Sequence, residues 1–555
     1  MTRLNKEQLQ AVNALGQNIV VSASAGAGKT AVLIERLMKR IIHDKVNITE
    51  ITALTFTEAA ANEMKVRLLK ALNEAYQTTD DEAERDYINQ QITLVETANI
   101  TTLHAYGLTL IKNYGYILGI DPARSQNILD PAIADLYKEQ ALDKTLDTWF
   151  ETREKEVNLL LDAFVRNPIN LQPLKKAIRT TADFLLTKAD RLNTIEETLT
   201  SYQATSFESL PDHILEGIFQ PFELHIGIIQ TTFEAFLNDA MTLLPHTKHV
   251  EHLDKHIETS QKLEALLEKI KNRDISFYEE VPSVLNIEIK SISKSKDDAN
   301  GLNETINIYQ ASSNKLSDAI NDALRYYLPK DKVFSTLNQQ VPLMTALFEI
   351  SNDYIEHYEQ EKVKANGFDF DDFEIYALAI LNHNNGHIAK IIREKTTEIL
   401  VDEYQDTNEI QDAMIQLISK GNNVFRVGDL KQSIYRFRGA KPTLMQNLMR
   451  KDSVDTIYFM HNYRSKKNIV EYNNLLFENI MSHTLSDSYS KKDVVEAGNF
   501  SATENNHPVE LHMIENDQET RLLKADENKI VATAIANRII TLHKEENIPF
   551  KDFTI

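Results

Sequence analysis

The chain has 555 residues, 42% of them hydrophobic and 26% charged, which excludes a disordered tail and leaves room for roughly three or four folding units at about 150 residues each. Sixty basic against 82 acidic residues give a net charge of -22, which disfavours polybasic, histone-like binding of nucleic acid for the chain as a whole and leaves a local basic groove open. With no cysteine there is no disulfide framework, thiol nucleophile or cysteine-held metal, which fits a reducing cytoplasm. The opening MTRLNKEQLQAV lacks the apolar stretch of a signal peptide, and no run of about 18 uncharged apolar residues follows, so neither export nor a membrane partner is expected.

In chain order, the first strand expected is the apolar run at 19–22 (IVVS). A loop of small residues follows it, and then a helix whose Val32, Leu33, Leu37 and Ile41 fall on one face. The loop reads Ala23-Ser24-Ala25-Gly26-Ala27-Gly28-Lys29-Thr30, which fits the phosphate-binding pattern G-x4-G-K-[ST] except that alanine stands at the first glycine. Small residues let backbone N–H groups close around phosphate oxygens, Lys29 adds charge at the β- and γ-phosphates, and Thr30 offers a hydroxyl to Mg²⁺. A plain strand-to-helix turn with an incidental lysine is the bland alternative. The strand before and the helix after are the context the motif requires, and make Ser22 to Thr30 the candidate nucleotide site. A second strand at 51–56 (ITALTF) precedes an alanine-rich helix, and two such units predict a parallel α/β sheet.

From 126 to 360 the character changes to long amphipathic stretches joined by polar connections, read as a helical insertion with an exposed loop at 291–307. Strand-like runs return at 398–407, 422–429, 456–465 and 508–515, and the final DFTI reads as the opening of a buried strand, so the chain is expected to stop inside a domain. Ile399-Leu400-Val401 ends in Asp402-Glu403, the second carboxylate site that a phosphate loop needs. Asp402 is expected to hold Mg²⁺ through water and Glu403 to orient and deprotonate the attacking water, which favours hydrolysis over transfer to a small acceptor.

Further segments complete an ordered set: Leu4-Asn5-Lys6-Glu7-Gln8, Thr55-Phe56-Thr57-Glu58-Ala59, Ile100-Thr101-Thr102-Leu103-His104, the run from Gly428 through Gln432, Tyr435, Phe437 and Arg438 to Ala440, and Asn462-Tyr463-Arg464-Ser465. Together these motifs resemble superfamily-1A DNA helicases of the UvrD/Rep type, and within them the AddA (RexA) branch of bacterial helicase/nucleases. The resemblance implies P-loop, RecA-like parallel-sheet domains: a first ATPase domain at 1–125 and 361–450, an all-α 1B-type insertion at 126–360, and an incomplete second RecA-like domain at 451–555. The nuclease domain and the later helicase motifs of that branch are not seen in this sequence, which suggests a fragment.

The same resemblance implies residue roles. Gln8 selects ATP by reading the adenine edge, the alternative for that polar cluster being a helix cap. Thr55, Phe56 and Thr57 face single-stranded DNA, where stacking tolerates any sequence because every base has a π-face, and His104 touches its backbone. Gln432 senses the γ-phosphate while Tyr435, Phe437 and Arg438 lie under the strand. Tyr463 stacks on adenine and Arg464 reaches the γ-phosphate. Two departures stand out: Glu58-Ala59 where many relatives carry Asn-Lys, and Phe437 where many carry tryptophan. ATP and Mg²⁺ are the implied cofactors. DNA, as single strands and double-stranded ends, and a second protein of the AddB (RexB) type are the implied partners. The expected function is that of an ATP-driven 3'-to-5' DNA helicase within a helicase-nuclease complex, working at double-strand breaks, the alternative being a catalytically weak ATP- and DNA-binding module.

Overall fold

A computed structural model describes residues 4–167, 170–247, 249–294, 302–481, 489, 491–498, 509–514 and 524–555. Six strands form one sheet: β1 (Asn18–Ala23), β2 (Ile51–Thr55), β3 (Asn99–Thr102), β4 (Glu398–Val401), β5 (Val424–Gly428) and β6 (Val454–Phe459), in the order β3-β2-β4-β5-β1-β6. Every pairing is parallel. The strands read as continuous apolar runs because both faces are covered by helices, as parallel sheets require.

Side chains alternate between the two faces. Ile19 and Val21 enter one core with Leu33 and Leu37 of α2 (Lys29–Met38) and Leu68 of α3 (Glu58–Thr78). Val20 enters the other with Leu110 of α5 (Leu103–Tyr114), Leu381 of α15 (Asp372–Lys395) and Met414 of α16 (Glu409–Ile418). α1 (Lys6–Asn13) packs against α2 and β6, and α4 (Glu82–Leu94) against α3. Val32, Leu33, Leu37 and Ile41 are all solvent-excluded, as their spacing predicts, each such aliphatic burial contributing about 1.5–3 kcal/mol.

Between α5 and α15 the described residues form mainly helices: α6 (Pro131–Thr152), α7 (Glu154–Phe164), α8 (Gln172–Leu186), α9 (Arg191–Tyr202), α10 (Asp212–Leu243), α11 (His252–Lys271), α12 (Phe277–Leu285), α13 (Asn303–Leu324) and α14 (Lys330–Lys364). Two cores divide it. Trp149, Leu174 and Ile178 pack against Ile350 and Tyr354 of α14 in one. Phe233, Phe236, Phe277 and Leu316 form the other, which reaches α14 at Phe334. The two connections to the sheet domain run side by side, Leu129 N donating to Phe368 O at 2.8 Å and Phe368 N to Asn127 O at 2.9 Å. After β5 come α17 (Thr443–Met449), α18 (Lys467–Met481) and α19 (Lys524–Glu546), with β7 (His461–Asn462) and β8 (Glu496–Ala497) making a two-stranded piece. No helix among the described residues is long and apolar enough to cross a membrane.

Four sequence expectations change. The boundary expected at 450/451 falls before β6, yet β6 pairs with β1 across Asn18–Ala23 and closes the first sheet. Its apolar positions Val454, Ile457 and Phe459 are buried there, so this sheet runs to Phe459. The loop expected at 291–307 covers residues outside those described, but Asn303 onward is helical, in α13. Of the strand expected at 508–515, residues 509–514 are described and carry no strand, and the final DFTI begins on the last residue of a 3-10 turn (Phe550–Asp552) and continues as irregular chain. Residues 508 and 515 lie outside the described residues.

Candidate nucleotide and DNA site

Parallel pairing places the carboxyl ends of all six strands along one edge, where ligands of α/β sheets bind. The loops leaving them carry nearly every residue singled out by the sequence: Ser24 to Gly28 after β1, Phe56 after β2, His104 after β3, Asp402 and Glu403 after β4, Asp429 to Phe437 after β5, and Asn462 to Arg464 shortly after β6. Ser22 lies in β1, as the run at 19–22 predicts, and Ala23, read as the first residue of the loop, extends that strand by one. They pair with Tyr458 and Phe459 in register, and Ala23 is fully buried, so the alanine at the first glycine position is accommodated as the strand's last residue.

The loop's carbonyls are tied down from outside. Asn462 Nδ2 donates to Ala25 O at 2.9 Å, Tyr463 N to Gly26 O at 2.8 Å and Gln8 Nε2 to Ala27 O at 3.0 Å. A β-carbon on Gly26 would stand 2.7 Å from Asn462 Oδ1 and 2.7 Å from the Arg464 Cβ, so only glycine lets this segment close down. Ser24 Oγ is buried without a hydrogen-bond partner, a polar group left for a ligand to satisfy.

Gln8 itself departs from expectation. It is 5% exposed, and it closes a capping box: its N–H donates to Asn5 Oδ1 at 2.8 Å, and its Oε1 accepts from Asn5 N at 2.9 Å. The helix cap is therefore what this cluster forms, and the Gln8 amide, committed on both sides, does not present a donor–acceptor edge to adenine in this conformation. Asn5 Nδ2 donates to Tyr463 Oη at 3.0 Å, which places that half-exposed ring beside the loop.

Opposite the loop, Lys29 Nζ meets Glu403 Oε2 at 2.7 Å, the side chains 12% and 34% exposed. Glu403 adopts a left-handed backbone (φ 49°, ψ 44°), a strain of about 1–3 kcal/mol of the kind that collects at functional sites. Burial, then the neighbouring Glu403 charge, pushes Asp402 up to about 6 despite Lys29. Burial and Glu403 likewise push Asp406 up to about 6, and Asp406 Oδ1 is buried without a partner. Carboxylate and hydroxyl oxygens are the hard donors that Mg²⁺ takes. Thr30 and Asp402 are the residues that would hold it, and when bound it would supply positive charge to the phosphates.

Gln405, which has no motif of its own, joins this centre to the next loop through Asp429. Gln405 Nε2 donates to Glu403 Oε2 at 2.8 Å, and its Oε1 accepts from Asp429 N at 2.9 Å. Asp429 Oδ2 in turn accepts from Gln432 Nε2 at 2.6 Å. A β-carbon on Gly428 would lie 2.5 Å from Gln405 Oε1, so glycine there admits the amide. Lys29, Glu403, Gln405, Asp429 and Gln432 thus form one chain of contacts.

The loop continues into an aromatic shelf. Phe56 and Tyr435 have ring centroids 4.6 Å apart, Tyr435 and Phe437 5.9 Å, and Phe437 is 79% exposed. The Arg438 side chain lies outside the described residues. From the insertion, Thr187 lies where a β-carbon on Gly439 would fall, 2.7 Å away, and Lys188 Nζ meets Glu409 Oε1 at 2.7 Å, with Lys441 Nζ on the same oxygen at 2.6 Å.

Of the other expected strand contacts, Thr55 is corrected: it is 1% exposed and its hydroxyl donates to Thr57 O at 3.0 Å. Thr57 Oγ1 caps α3 by accepting from Ala60 N at 3.1 Å. His104 lies half-exposed, its Nε2 3.1 Å from Glu374 Oε1. Arg464 is exposed and forms no ion pair among the described residues.

The family described as UvrD/REP helicase N-terminal domain matches residues 4–453. The chain belongs to this family. Among curated relatives, the A subunit of the ATP-dependent helicase/nuclease from Streptococcus uberis is 28% identical over 99% of this chain and 46% of its own length. The protein of the same name from Clostridium botulinum is also 28% identical, over 99% and 46%, and that of Pediococcus pentosaceus is 29% identical over 85% and 38%. This UvrD/REP chain therefore spans about half the length of the first two relatives. The family match ends at residue 453, within one residue of the start of β6.

Proposed function

We propose that this chain is the ATP-hydrolysing part of a DNA motor, in which a nucleoside triphosphate at the Lys29 loop is coupled to a DNA strand on the Phe56–Tyr435–Phe437 shelf. The observation that carries the reading is the continuous contact chain from Lys29 through Glu403, Gln405 and Asp429 to Gln432, because a translocase needs strand grip to depend on nucleotide state.

In this reading the loop's inward N–H groups and Lys29 hold the phosphates, and Tyr463 packs on the base. Lys29 exchanges its Glu403 partner for phosphate oxygens as the nucleotide arrives. Glu403, released, accepts a proton from the water that attacks the γ-phosphorus as the bond to the β–γ bridging oxygen breaks, giving ADP and phosphate. Gln432 touches the γ-phosphate, and Arg464, left without an ion-pair partner among the described residues, neutralises charge as that bond breaks, a contribution of about three to five orders of magnitude in rate in related phosphoryl transfers. Base stacking on the aromatics gives grip without sequence preference.

The finer reading follows the relatives' name. We assign a 3'-to-5' polarity, the first motor domain to the sheet, a 1B role to the helical insertion and a second-motor role to the residues after β6. A second protein of the AddB (RexB) type is the proposed partner, and DNA ends at double-strand breaks are the proposed site of action, in the cytoplasm. The test is ATP hydrolysis by the purified chain with and without single-stranded DNA. Stimulation by DNA that disappears in Lys29→Ala supports the motor. Nucleotide binding without turnover points instead to a binding module, and hydrolysis indifferent to DNA overturns the coupling.

A further inference from the structure

Far along the sequence from the nucleotide loops, the turn between α10 and α11 gathers His246, His249, Glu251, His252 and, one helical turn on, His256. One nitrogen each from His249 and His252 and one carboxylate oxygen of Glu251 lie within 4.8 Å of one another. His252 Nε2 stands 3.8 Å from Glu251 Oε1. Ligands at about 2.1 Å on a tetrahedral ion are about 3.4 Å apart, so small side-chain rotations close the set. The backbone already holds it: His252 N donates to His249 O at 3.1 Å, and His249 N donates to Thr247 Oγ1 at 3.1 Å.

His252 is 6% exposed, and its Nδ1 has no hydrogen-bond partner. Glu288 Oε2 lies 4.0 Å from that Nδ1. An ion on Nε2 would fix the proton on Nδ1 and turn it toward this carboxylate, the arrangement that orients metal-bound histidines.

We propose that His249, Glu251 and His252 form a binding site for a divalent transition ion of the zinc class, which staples the α10–α11 turn of the distal helical unit. Two imidazoles and one carboxylate leave a fourth position for water, and in a chain without cysteine nitrogen and oxygen donors suit such an ion.

The experiment titrates the full 555-residue chain, stripped by chelator, with Co²⁺ as an optical probe and then with Zn²⁺. One equivalent of Co²⁺ with the visible absorption of a four-coordinate ion, displaced by Zn²⁺, is expected. His249→Ala and Glu251→Gln lie outside the buried core and should each weaken binding at least about tenfold, while Asp402→Asn should leave it unchanged, separating this site from the Mg²⁺ position. Zn²⁺ should raise the melting temperature of the unaltered chain and not of either variant. No saturable equivalent, or a tight equivalent that persists in both variants, overturns the site.

Discussion

Lys29 Nζ sits 2.7 Å from Glu403 Oε2, so the cation that would meet the phosphates is held by the carboxylate that would activate water. Each group keeps the other occupied until a nucleotide separates them. Glu403→Gln should therefore split binding from turnover. Affinity for ATP, read by fluorescence of a labelled nucleotide, should hold or rise, whereas hydrolysis should fall about 10²- to 10⁴-fold. Equal loss of both would show that Glu403 acts only as scaffolding.

Gln405 connects this pair to Asp429 and hence to Gln432. Gln405→Ala should leave basal hydrolysis within several-fold and abolish its response to single-stranded DNA. A rate that still rises with DNA would place the coupling elsewhere.

Phe437 is the most exposed ring of the shelf. Its replacement by alanine should cost about 1–3 kcal/mol of single-strand affinity, measured by anisotropy of a labelled oligonucleotide, with little effect on melting temperature. Thr55→Val, by contrast, should alter stability through the lost Thr57 hydrogen bond and leave strand affinity nearly unchanged.

Glu409 joins the insertion to the shelf loop. Burial alone would raise its carboxyl, but hydrogen bonds from Lys188 and Lys441 outweigh burial and hold it below its ordinary 4.5. A depressed folded-state carboxyl gives stability that is present above its unfolded value and lost as pH falls through the folded one. Glu409→Gln should accordingly destabilise the chain at pH 7, and the difference in denaturation midpoint should shrink progressively as the medium is acidified from the unfolded carboxyl's value of about 4.3 through the lower folded one.

Much of this site is legible in the sequence because its chemistry is local. The strand, loop and helix around Lys29 announce themselves through the spacing of Val32, Leu33 and Leu37, and Asp402-Glu403 follows an apolar strand. What cannot be read there depends on long-range partners. Gln405 has no pattern of its own, and its role appears only when Asp429 arrives from β5. Gln8 resembles a base reader, since nothing in the sequence shows both ends of its amide committed to Asn5 and Ala27. Thr55 sits in a motif that faces a strand, yet β2 is covered on both faces and every one of its residues is buried. β6 is open to assignment to a second sheet because a parallel strand reads the same whichever sheet it joins.

The central claim is that nucleotide state and strand grip are one coupled equilibrium, and coupling of binding sites is reciprocal. It is tested most directly by titrating a labelled single-stranded oligonucleotide into the chain with and without a non-hydrolysable ATP analogue. The account predicts two distinct affinities that merge into one in Gln405→Ala. Identical affinities in the unaltered chain, with saturating analogue bound, would contradict it.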